Sequence, residues 1–215
     1  MSEHMKWGAV ILAGGRGTRM NGLDKGLQLF HGHSLVNHAV QRLKSQTLPA
    51  ATIGINANRH LTDYQTLGFD VWPDAQADFA GPLAGFLVGM THCPHPYLLT
   101  VPCDTPLFPL NLAEKLMHHL LSSGADIAMA AAPEGDGVVR RQPVFCLMKV
   151  KLQTSLHQFM AEGGRKIGAW TSGHQVVEVV FDPRSDGSFH NLNTLEELRQ
   201  LERQYGKSRP GLDSI

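Results

Sequence analysis

An apolar run, Ala9-Val10-Ile11-Leu12-Ala13, gives way to four glycines within nine positions, Gly14, Gly15, Gly17 and Gly22, and this transition constrains the chain most. The run is too short to span a bilayer and reads as a buried parallel strand. Glycine takes positive φ without strain and lets a bulky anion approach the main chain. Successive N–H groups in such a loop form an anion-binding concavity. Arg16, Arg19 and Lys25 surround it with positive charge. Strand, glycine loop and cations together point to a polyphosphate site.

Two common phosphate loops do not fit. A P-loop needs Gly-Lys followed by Ser or Thr, and this loop has neither pair. The dinucleotide fingerprint begins acceptably at Gly15-Arg16-Gly17, but its third glycine falls on Met20, too bulky for close helix–strand packing. The stretch Leu12-Ala13-Gly14-Gly15-Arg16-Gly17-Thr18-Arg19-Met20-Asn21-Gly22-Leu23-Asp24-Lys25 instead resembles the L-A-G-G-x-x-x-R-M-x-G-x-D-K signature of nucleotidyltransferases. Within that group it is most similar to the molybdenum cofactor guanylyltransferases, which join GMP to molybdopterin. Asn21 departs from the glycine common there, a mild change because asparagine tolerates the left-handed region.

The 215 residues suffice for one domain with a full core. Lys plus Arg equals Asp plus Glu at 19 each, so bulk charge gives no reason to expect a nucleic-acid partner. Cys93, Cys103 and Cys146 are widely spaced and read as free thiols in a reducing compartment. The polar start Met1-Ser2-Glu3-His4-Met5-Lys6 has no signal-peptide pattern, and no run is long enough for a membrane span. A cytoplasmic monomer with no nucleic-acid or membrane partner is expected.

Strand and helix patterns alternate throughout, which predicts an α/β fold with a mainly parallel central sheet flanked by helices. Strands are expected at 51–55, 69–72, 97–101, 127–131, 142–148 and 176–181, with Arg140-Arg141 just before the fifth of these. Ser34 is a good N-cap for the helical spacing of Leu35, Val36, Ala39, Val40 and Leu43. Gly81-Pro82-Leu83-Ala84-Gly85 opens a helix with proline in its first turn. Helices are further expected at about 110–121 and 152–160, and a short one at 165–170. Thr194, with Glu197 three residues on, reads as the capping box of a final helix. Residues 1–205 form the expected single domain and 206–215 a flexible tail.

In an open parallel sheet, ligands bind beyond the carboxyl ends of the strands. Four strands here each end in something useful: the glycine loop, Asn56, Asp74 and Asp104. Asp104 follows Leu98-Leu99-Thr100-Val101-Pro102-Cys103, so a buried strand delivers a carboxylate to the sheet edge. It is a candidate ligand for a hard cation such as Mg²⁺, which needs only one or two carboxylates beside phosphate oxygens; the competing reading is a turn cap before Pro106. Asn56 can both donate and accept toward a base or ribose, and Asp74 can accept from guanine N1–H and its amino group. Each is also ordinary turn chemistry. The histidines, including His31-Gly32-His33 and His118-His119, lack the spacing of a helical zinc motif.

The resemblance extends over Asn56-Ala57-Asn58-Arg59, Pro73-Asp74, Gly81 to Gly85, Pro102 to Pro106, and Asn191 to Glu197, with Leu195 where proline is usual. It implies a Rossmann-like nucleotidyltransferase fold, with GTP bound by the N-terminal half and pterin by the C-terminal half. GTP then falls to Leu12, Ala13, Gly14, Gly15, Lys25, Asn56, Asp74 and Asp104; Arg19, Lys25 and Asp104 carry catalysis, and Asp104 holds Mg²⁺. Gly22, Gly81, Gly85, Asn191 and Asn193 are further candidate contacts to nucleotide or pterin; Gly81 and Gly85 also read as a tightly packed helix start. Asn191 and Asn193 are expected to serve pterin more than GTP, and Arg140, Arg141, Arg165 and Lys166 can meet the pterin phosphate. GTP and molybdopterin are the implied substrates, and cofactor-insertion and molybdoenzyme maturation proteins the implied recipients. A cytidylyltransferase for the same pterin, a sugar-phosphate nucleotidyltransferase and a non-catalytic pterin carrier are the alternatives.

Overall fold

The computed structural model describes residues 6–14, 24–75, 81–182 and 188–205. Its core is a seven-stranded sheet in the order β5-β4-β1-β6-β8-β7-β9. The strands are β1 (Trp7–Leu12), β4 (Thr52–Asn56), β5 (Asp70–Trp72), β6 (Tyr97–Pro102), β7 (Ile127–Pro133), β8 (Val139–Lys149) and β9 (Val176–Val180). A separate two-stranded hairpin joins β2 (Leu29–Phe30) to β3 (His33–Ser34). The helices are α1 (Leu35–Lys44), α2 (Leu61–Gln65), α3 (Pro82–His92), α4 (Leu112–Ser123), α5 (Gln153–Ala161), α6 (Ile167–Thr171) and α7 (Leu195–Tyr205). No helix among the described residues is long and apolar enough to cross a membrane.

Strand β1 lies between two helical layers, and its alternation shows why. Trp7, Ala9 and Ile11 pack with Val36, Val40 and Leu43 of α1 and Leu112, Leu116 and Leu120 of α4. Val10 points the other way, into Leu83, Phe86 and Met90 of α3 and Leu156 and Met160 of α5. This period of two is the signature of a strand buried on both faces. Helix α3 comes very close to the sheet: a Cβ on Gly89 would lie 2.6 Å from Val10 Cγ1.

The expected parallel core is present: β1 pairs in parallel with β4 and β6, β4 with β5, and β7 with β9. Within the seven-stranded sheet, as described, β8 is the strand that runs against its neighbours β6 and β7. It also begins earlier than the sequence suggested, so Arg140 and Arg141 lie within it rather than before it. Its pairing with β7 shifts register between Met129 and Ala131, opposite the segment holding Pro143, which has no N–H to give the ladder. The buried Thr100 hydroxyl donates to Val144 O at 2.5 Å, satisfying a carbonyl within that irregular stretch.

Ser34 caps α1 as expected, its hydroxyl accepting from Asn37 N. At α7, Thr194 Oγ1 accepts from Glu197 N at 3.1 Å. Glu197 Oε2 reaches back to Asn193 N at 2.6 Å, so the box closes one residue earlier than the standard pattern. A small third core of Phe30, Leu35, Leu192 and Leu198 ties the hairpin to this last segment.

Candidate active site

The parallel strands bring their carboxyl ends to one edge, where Leu12 stands opposite Asn56 on one side and Pro102 on the other. Two polar clusters flank the end of β1.

The first gathers residues from three distant parts of the chain. Lys25 Nζ lies 2.6 Å from Asp104 Oδ2 and 3.0 Å from Asn193 Oδ1. The side chains of Lys25 and Asp104 are 23% and 18% exposed, so the pair is partly shielded yet reachable from the edge. The Thr105 hydroxyl donates to Asn191 Oδ1 and lies 3.4 Å from Asp104 Oδ1. Leu192 N donates to Asp104 O at 2.9 Å, fixing residues 191–193 across the end of β6. Cys103, immediately before Asp104, is buried, and burial, reinforced by the Asp104 charge, pushes its thiol well above the usual range. It stays protonated and is no nucleophile.

The second cluster forms at the ends of β4 and β5. Asn56 Nδ2 donates to Asp74 Oδ1 at 2.9 Å and to Trp72 O at 3.1 Å. Asn58 Nδ2 donates to Asp74 Oδ2 at 2.8 Å, and Asp74 N returns a bond to Asn58 Oδ1 at 2.7 Å. Each Asp74 oxygen thus takes one amide donor and keeps acceptor capacity for a ligand. Gly14 and Gly85 line this cluster. A Cβ at Gly14 would lie 2.9 Å from Asn58 Nδ2, and one at Gly85 would lie 2.5 Å from Asn56 Oδ1.

Not every expected contact has the same freedom. Ala13 donates its N–H to Asn56 O at 2.8 Å, so that donor belongs to the sheet. Leu12 O accepts from Cys103 N in the same way. Gly85 follows the tight-packing reading, whereas Gly81, at φ 137°, has open space where a Cβ would stand. Arg140 pairs with Asp136 and Glu134, and Arg141 with Glu178, so these cations already have anionic partners. Arg165 bonds to the carbonyls of Met160 and Gly164. Gly15, Arg16, Arg19 and Gly22 lie outside the described residues, as does the expected tail, 206–215.

The chain matches the family described as MobA-like NTP transferase domain over residues 9–177. The molybdenum cofactor guanylyltransferase of Albidiferax ferrireducens is 55% identical over 199 residues, covering 90% of this chain and 94% of that one. The same-named protein of Bordetella pertussis is 49% identical over 193 residues, covering 90% and 95%. This chain belongs to the molybdenum cofactor guanylyltransferase family. Among solved structures, molybdopterin-guanine dinucleotide biosynthesis protein A from Archaeoglobus fulgidus has a TM-score of 0.72 at 19% identity, over 93% of this chain and 99% of that one. A CMP:2-keto-3-deoxy-manno-octonic acid synthetase complexed with CTP reaches 0.75 at 12% identity, over 95% and 100%. These two likenesses speak to the fold, which is that of the nucleotidyltransferases.

In this guanylyltransferase family member, Asn58, Thr105, Asp24 and Tyr64 also take part, though sequence reasoning assigned none of them a role. Asn58, Thr105 and Asp24 lie inside the stretches that carry the resemblance, which was the available signal; Tyr64 lies outside them. Asp24 is buried, with Oδ1 accepting from Tyr64 OH at 2.6 Å and from Gly26 N at 3.1 Å. Nothing in the sequence connects it to Tyr64, 40 positions away.

Proposed function

We propose that this chain transfers the GMP moiety of GTP to molybdenum-bearing molybdopterin, giving the guanine dinucleotide cofactor and pyrophosphate. The observation that carries this reading, beside family membership, is the Lys25 ammonium between Asp104 and Asn193 at the same sheet edge as the Asn56–Asp74 pair. That edge supplies a cation for phosphate and a preorganised carboxylate for a base with two donors.

An oxygen of the pterin's terminal phosphate attacks the α-phosphorus of GTP. A phosphorus–oxygen bond forms there as the bond to the bridging oxygen breaks, and the electron pair leaves on pyrophosphate. The attacking phosphate is already an anion at neutral pH, so no protein nucleophile or base is required. Catalysis is then alignment and charge neutralisation. Lys25, Arg19 and the N–H groups of the loop at Gly14 and Gly15 hold the triphosphate. Asp74 accepts from guanine N1–H and the amino group, with Asn56 beside it. The C-terminal half, including Asn191, holds the pterin.

Asp104 fits Mg²⁺ by its chemistry: it would hold the ion as a single carboxylate, and Asn193, whose amide oxygen meets the same Lys25 ammonium, would offer a second oxygen. Among the described residues no group of three or more His, Cys, Asp or Glu side chains gathers into an all-protein cage. When bound there, the ion neutralises phosphate charge. Proteins that insert the finished cofactor into molybdoenzymes, in the cytoplasm, are the recipients that accord with this activity.

Pyrophosphate release from GTP and from CTP, with Mg²⁺ and with or without molybdopterin, tests the reading. Release with GTP that depends on molybdopterin is expected. Release with CTP alone as nucleotide, or on adding a sugar phosphate in place of pterin, would overturn it.

A further inference from the structure

We propose that Tyr64, through Asp24, is a positioning residue for Lys25. The inference rests on reading Lys25 as the cation that meets the nucleotide's phosphates.

Lys25 has a long, flexible stem, and its ammonium is useful only if its Cα is fixed. The residue before it is an unusual anchor. Asp24 is 7% exposed, in a chain position leading to an edge site, and Tyr64 is 0% exposed. Tyr64 donates to Asp24 Oδ1, which also accepts from Gly26 N, so one carboxylate oxygen grips the chain on the far side of Lys25. Asp24 O accepts from Gln28 Nε2 at 2.8 Å, and Lys25 O from Gln28 N at 3.2 Å. Gly26 O accepts from Val36 N at 2.9 Å, joining the turn to the first turn of α1.

Gly26 makes the approach possible, because a Cβ there would collide with the Tyr64 hydroxyl and ring. Burial pushes the Tyr64 hydroxyl well above its usual range, so it remains a donor at any working pH. Tyr64 itself comes from α2 and packs into the main core with Val36 and Val101. Lys25 is therefore referenced to the core through a phenol and a carboxylate, while its tip meets Asp104 and Asn193 at the edge. A charge-assisted bond to a buried carboxylate is among the stronger ones available for such a task.

A double-mutant cycle on the full chain tests this, with GTP affinity read by isothermal titration in Mg²⁺ and the unfolding midpoint recorded beside it. Tyr64→Phe should weaken GTP binding about tenfold, the size of one lost charge-assisted bond. In the Lys25→Ala background the same substitution should change affinity less than about twofold, because the residue it positions is gone. A merely structural role would lower affinity equally in both backgrounds, and that result overturns the proposal, as does an unchanged affinity in Tyr64→Phe alone. If Tyr64→Phe does not fold, Asp24→Asn replaces it in the cycle, keeping an acceptor while removing the charge; additivity with Lys25→Ala again overturns the proposal. Lys25→Ala by itself reports on the parent reading: unchanged GTP affinity there removes the phosphate role and the positioning role together.

Discussion

Lys25 Nζ lies 2.6 Å from Asp104 Oδ2 although 79 positions separate them in the chain. Lys25 and the end of β6 therefore share one charge centre. With both groups partly exposed, the pair itself adds little stability, about 0–1 kcal/mol for such ion pairs. Its value lies in holding a cation and a carboxylate where phosphates are expected.

Asp104→Ala should remove turnover while leaving the fold intact. Loss of the group proposed to hold Mg²⁺ should slow the reaction at least about a hundredfold, a few kcal/mol of transition-state stabilisation. Pyrophosphate release and a thermal unfolding curve on the same preparation check this. A folded variant with the parent rate would remove Asp104 from the mechanism.

Lys25→Ala should weaken GTP binding by about 1.5–3 kcal/mol, the worth of a hydrogen bond to a charged group. Calorimetric titration of GTP with Mg²⁺ measures it. Equal affinity and equal turnover would count against a phosphate contact.

Asn191→Asp and Asn193→Asp should now behave differently from each other. Asn193 Oδ1 accepts from Lys25, so a carboxylate there holds the ammonium back from phosphate and should lower GTP affinity. Asn191 accepts from the Thr105 hydroxyl instead, and its charge should disturb molybdopterin binding while GTP binds nearly as before. Parallel titrations with each substrate decide it. Identical effects of the two variants would mean that this pairwise geometry does not govern the site.

Gly85→Ala should impair GTP binding without touching the ligand. The added Cβ would stand 2.5 Å from Asn56 Oδ1 and 2.6 Å from Leu12 Cδ2, so α3 or Asn56 must move. Overpacking of this kind costs about 1–3 kcal/mol in stability. A variant with both unfolding midpoint and GTP affinity at parent values would show that the helix yields freely.

Stability should fall on mild acidification because of His38. Burial, with smaller contributions from His33 and His31, holds its imidazole below the usual range, against the opposing bond to Phe30 O. The unfolded chain takes up the proton near the ordinary value of about 6.5, before the folded chain does. The contribution is thus complete above that pH and is lost as pH falls through the window down to the folded value. Urea unfolding at about pH 7.5 and about pH 5.5 should show this loss, and His38→Asn should reduce it. A slope unchanged by that substitution would assign the effect elsewhere.

The parallel core was legible because apolar runs ending in Asn56, Pro73-Asp74 and Pro102-Cys103-Asp104 carry strand and turn signals locally. The direction of β8 was not. A buried strand such as Phe145-Cys146-Leu147-Met148 reads the same from either end, and its polarity is decided by pairing with Leu98 and Leu99. The same holds at the site. Asn56, Asp74 and Asp104 announce themselves by position, but the Asn58–Asp74 and Tyr64–Asp24 bonds span 16 and 40 positions and exist only after the sheet has formed.

The reversal of β8 also makes one part of the edge independent of the rest. Residues 139–141 pair with 131–133 of β7, while β6 meets β8 only at residues 146–149. The turn at residues 134–138 can therefore lengthen or shorten without re-registering β1, β4 or β6, which carry the proposed nucleotide side. The hairpin tip and the strands of the proposed nucleotide side thus sit on separately adjustable pieces of chain, so one can change in length while the other keeps its register.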